Sequence, residues 1–86
     1  MSNTLYWRPL NPPPPDHALD QLKYVISQSL WGHDGSLRGD PLPLDRSFIA
    51  YLRGIADAGS ATVKEEAEEL IDAIRQYGVV EVYLCG

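Results

Sequence analysis

The side chains that could do chemistry in this chain are few and scattered. The segment Trp31-Gly32-His33-Asp34-Gly35 holds a His-Asp doublet. Imidazole beside carboxylate is a donor set suited to a divalent metal. Cys85 is the lone cysteine. A thiol becomes a good nucleophile when a basic neighbour lowers its pKa, and none adjoins Cys85 in the sequence. Ser27, Ser29, Ser36, Ser47 and Ser60 stand in no nucleophile elbow. No glycine-rich phosphate loop or paired-cysteine metal spacing occurs. Glu65, Glu66, Glu68 and Glu69 crowd one short stretch. Such a cluster suits a basic partner, but it also suits the positive end of a helix dipole.

With His17 and Asp57, the doublet gives the order His, His-Asp, Asp. That order is similar to the one used by metal-dependent phosphohydrolases of the HD type. The resemblance implies a minimal metal-dependent hydrolase centred on His33 and Asp34. In that family, however, the doublet belongs to a bundle of more helices than this chain holds. Here Gly32 and Gly35 flank the doublet, which places it in a turn. Asp34 is then explained by turn formation through its own side chain, and His33 by an ordinary polar loop. The sequence calls for no cofactor.

The remaining properties narrow the field by exclusion. At 86 residues and 44% apolar, residues 1–86 are expected to form one compact domain with a modest core. A single cysteine cannot make an internal disulfide, so packing must hold the fold. The N-terminus has no basic region followed by an apolar run, and no stretch approaches the ~20 apolar residues that span a bilayer. A cytoplasmic location and no membrane partner are the expectation. Twelve acidic against seven basic residues give a net charge of −5. Direct nucleic-acid binding needs a basic footprint, so it is not expected.

Positioning these residues falls to five elements. Residues 4–8 (TLYWR) read as a strand with Leu5 and Trp7 on one face and Tyr6 and Arg8 on the other. Pro9 should end its ladder, and residues 9–15 form a stiff polyproline connector. Asp16 would cap a helix over 16–31 whose buried stripe is Leu19, Leu22, Ile26 and Leu30, closed by Gly32. Residues 32–43 read as an irregular loop, because Pro41 and Pro43 exclude helix. A second helix is expected over 45–58, capped by Asp45 and ended by Gly59. A third is expected over 62–77, opened by a Thr62–Glu65 capping box and closed by Gly78. Residues 79–85 alternate as a closing strand, with Val80, Val82 and Leu84 on one face.

The expected fold class is α+β in the order β-α-α-α-β. A two-stranded sheet of the N- and C-terminal strands, parallel if successive elements alternate in direction, packs against three amphipathic helices. With no catalytic grouping, the expected function is a small acidic non-enzymatic protein-binding module, of the kind that inhibitors, immunity proteins and phage- or plasmid-encoded regulators exemplify. Its partner would be another protein. The candidate contact residues are Tyr6, Arg8 and Tyr83 on the uncovered sheet face, Trp31, His33, Asp34, Arg38 and Asp40 around the long loop, and Glu65 and Glu69 on the acidic helix. Alternatives are the His33/Asp34 hydrolase and a structural homodimer joined by strand-edge pairing.

Overall fold

The computed structural model describes residues 4–9, 17–19, 21–33 and 37–85, without the side chain of His17. The elements run β1 (Thr4–Pro9), β2 (His17–Leu19), α1 (Leu22–Trp31), β3 (Gly39–Leu44), α2 (Ile49–Ala58), α3 (Ala61–Tyr77) and β4 (Val80–Cys85). A single 3-10 turn, Arg46–Phe48, leads into α2. The four strands form one antiparallel sheet in the order β2-β1-β4-β3.

The α+β class and the pairing of the first strand with the last hold. The two-stranded parallel sheet does not. Two further strands flank the pair, and β4 runs antiparallel to β1 with Thr4 opposite Cys85 and Pro9 opposite Val80. Simple alternation fails across α1: β2 and β3 run in opposite directions with one helix between them.

Each added strand has a physical cause. Residues 17–19, expected as the first turn of a helix, pair with Leu5–Trp7 instead, and Leu19 is fully buried. The helix therefore starts at Leu22, not 16, and Asp16 lies outside the described residues. Residues 39–44, expected as loop, form an edge strand. An edge strand hydrogen-bonds on one side only, so it tolerates Pro41 and Pro43, which a central strand would reject. An irregularity between Gly39 and Leu42 admits one extra residue against β4. Leu42 and Leu44 then face the core opposite Val82 and Val80. Pro9 does not end β1 but occupies its last position, beyond the reach of β2.

One hydrophobic cluster joins the sheet to all three helices. Leu5, Trp7, Val80, Val82 and Leu84 meet Leu22 and Ile26 from α1, Leu52 and Ile55 from α2, and Leu70 and Ile74 from α3. Phe48 is half-buried at the edge of this core. Buried and half-exposed side chains alternate along β1 and β4, which assigns one sheet face to this core and leaves the other without a described helix. α2 packs chiefly along α3. No helix among the described residues is long and apolar enough to cross a membrane.

The helix ends show how the layers are tied together. α3 opens one residue earlier than the sequence suggests. Ser60, not Thr62, is its cap, and the Ser60 hydroxyl accepts from the Val63 N–H at 3.4 Å. The N-terminus of α1 has no cap of its own. Instead the Glu66 carboxylate of α3 accepts from the N–H groups of Gln21 (2.9 and 3.0 Å) and Leu22 (3.3 Å). An anion there satisfies orphan donors and the positive end of the dipole. Asp45 caps the 3-10 turn and not α2 itself, which starts at Ile49 and not at 45: the Asp45 Oδ1 accepts from the Ser47 hydroxyl at 2.5 Å and from the Ser47 N–H at 2.9 Å. Those bonds from Ser47 hold the Asp45 carboxyl below its ordinary value. Gly32 closes α1 with φ +74°, a left-handed conformation that favours glycine.

Candidate functional site

The sheet face that no described helix covers carries one organised group of polar and aromatic side chains. Tyr6 and Tyr83 sit opposite each other on the two central strands, a consequence of the β1–β4 register. Their rings stack with centroids 5.4 Å apart and planes inclined by 24°. Two positions along the ladder and on the same face, Arg8 lies opposite Glu81. Its Nε and Nη2 both donate to Glu81 Oε1, at 2.9 and 2.5 Å. The Arg8 guanidinium also lies 4.9 Å from the centre of the Tyr83 ring, within cation–π range. The four side chains thus form a continuous array of Tyr6, Tyr83, Arg8 and Glu81. On the β2 side, the partner of Tyr6 is the small, exposed Ala18. Two rows of the sheet, about 7 Å apart along the strands, therefore present aromatic surface and a held charge pair.

The long loop is organised differently. Trp31 turns back from the end of α1 and lies on Gly39, where a side chain would meet the indole ring at 2.5 Å. Its Nε1 donates to the Asp40 carbonyl at 3.1 Å. Trp31 packs on the core cluster, so it closes the end of α1 against β3. His33 stacks beside it with centroids 6.3 Å apart. Arg38 and Asp40 are exposed, and Asp34 lies outside the described residues. Of the hydrolase set, the His17 side chain lies outside the described residues as well. His17 belongs to β2, while Asp57 lines a charged groove between α2 and α3. No group of three His, Cys, Asp or Glu residues able to hold a metal forms among the described residues.

The acidic helix divides into working and solvated carboxylates. Glu66 caps α1, as above. Glu69 Oε2 accepts from the Trp7 indole N–H at 2.5 Å, tying α3 to the sheet. Glu65 and Glu68 are exposed. The structure thus separates Glu69, already engaged with the sheet, from Glu65, which faces solvent.

The structure also holds an apolar groove whose trace in the sequence is faint. Val25 of α1, the small residues Ala50, Gly54 and Ala58 of α2, and Val63 of α3 line an apolar groove of about 420 Å³ beside Tyr51. The Tyr51 hydroxyl hydrogen-bonds to Ser29 Oγ across the α1–α2 gap. Ala50, Gly54 and Ala58 recur every four residues, and that recurrence was the one available hint. Comparisons with protein-family models, with curated proteins and with solved structures find no match to this chain.

Proposed function

We propose that this chain is a non-enzymatic protein-binding module that engages its partner through the sheet face that no described helix covers. The observation that carries the reading is the array of Tyr6, Tyr83, Arg8 and Glu81, held in one arrangement on the two central strands. Tyrosine and arginine are enriched at protein interfaces and among their energetic hot spots. Here they are fixed by one another, so less side-chain freedom remains to be lost on association. The acidic balance of the chain favours a partner of basic surface and disfavours nucleic acid.

Strand-edge homodimerisation draws less support. β2 offers three residues, and β3 carries Pro41 and Pro43. Short edge strands and edge prolines are the usual means of preventing such pairing.

The test has two stages. Tagged protein captures its partner from the native host, and the pair is then rebuilt from purified components by size-exclusion chromatography. Replacing both tyrosines (Tyr6→Ala with Tyr83→Ala), with folding checked by circular dichroism, is expected to abolish the stoichiometric complex. Glu68→Ala is expected to leave it intact. A complex that survives loss of both tyrosines in a folded variant rules out the sheet face. Failure to rebuild any pair from purified components counts against the module itself.

A further inference from the structure

No further inference is drawn: the strongest candidate, the apolar groove between α1 and α2 floored by Gly54 and walled by Val25 and Tyr51, carries nothing because nothing in the structure shows what covers it.

Discussion

Trp31 and Gly39 fix each other's identity. The indole occupies the space in which any side chain at position 39 would begin, with three ring atoms within 2.9 Å of a Cβ built there. Gly39→Ala therefore forces the ring or the strand to move, and overpacking of this kind costs about 1–3 kcal/mol. Urea unfolding is expected to show that loss, and an unchanged midpoint would mean that Trp31 shifts freely. Ser27 makes the opposite case. It is fully buried on α1, and its hydroxyl has no hydrogen-bond partner among the described residues. A buried unpaired hydroxyl carries a desolvation penalty without a compensating bond. Ser27→Ala is accordingly expected to be neutral or to stabilise by up to about 1 kcal/mol. A clear fall in the melting temperature would reveal a hydrogen bond at Ser27. At this level the sequence marks Trp31 only as a candidate contact residue, and the ring's position over Gly39 and against the core becomes visible only in the fold.

Helices and strands differ in how much of them the sequence exposes. α2, α3 and β4 are legible because their signals are local: Asp45 caps the turn before α2, apolar residues recur along α3, and Val80, Val82 and Leu84 alternate. β2 and β3 are not legible, because neither would be a strand alone. Residues 17–19 become extended only by lying beside β1, and 39–44 only by lying beside β4. The prolines of β3 argue against a strand unless one knows that it sits at an edge. The same reasoning covers the sheet-face array. Its members were readable from the alternation in β1 and β4, but their pairing required the antiparallel register. α1 depends on a distant residue for its start, so Glu66→Ala should unwind its first turn. The expected loss is about 1 kcal/mol, the usual worth of an N-cap acceptor. Hydrogen exchange should quicken at the amides of Gln21 and Leu22 and not at those in the middle of α3. Equal acceleration everywhere would indicate global destabilisation instead. The turn before α2 should respond to acid. The Asp45 carboxyl is held low by its bonds from Ser47, so its contribution is complete above the ordinary carboxylate range. It is lost as pH falls through the depressed folded value. Protection of the Ser47 amide should follow that course, and Asp45→Asn should remove the pH dependence.

For the molecule as a whole, the distribution of edges predicts its behaviour in solution. Both outer strands are poor templates for another chain, one through shortness and the other through its prolines. Replacing Pro41 and Pro43 together with threonine restores N–H donors to β3 and raises its strand propensity. Light scattering over a range of concentrations is expected to show association for that variant and none for the parent chain. If the two behave alike, the prolines do not guard the edge.

The central ladder has a consequence in time as well as in space. Arg8 and Glu81 are joined although they stand 73 positions apart in the sequence, and Thr4 lies beside Cys85. Contacts so remote along the chain slow the search for the native arrangement. During synthesis, β1 emerges before the other described elements and must wait without its principal neighbour while both edge strands and all three helices are made. Until Val80 and the residues after it have left the ribosome, the core has no centre, and Leu5 and Trp7 are surfaces that a chaperone would recognise.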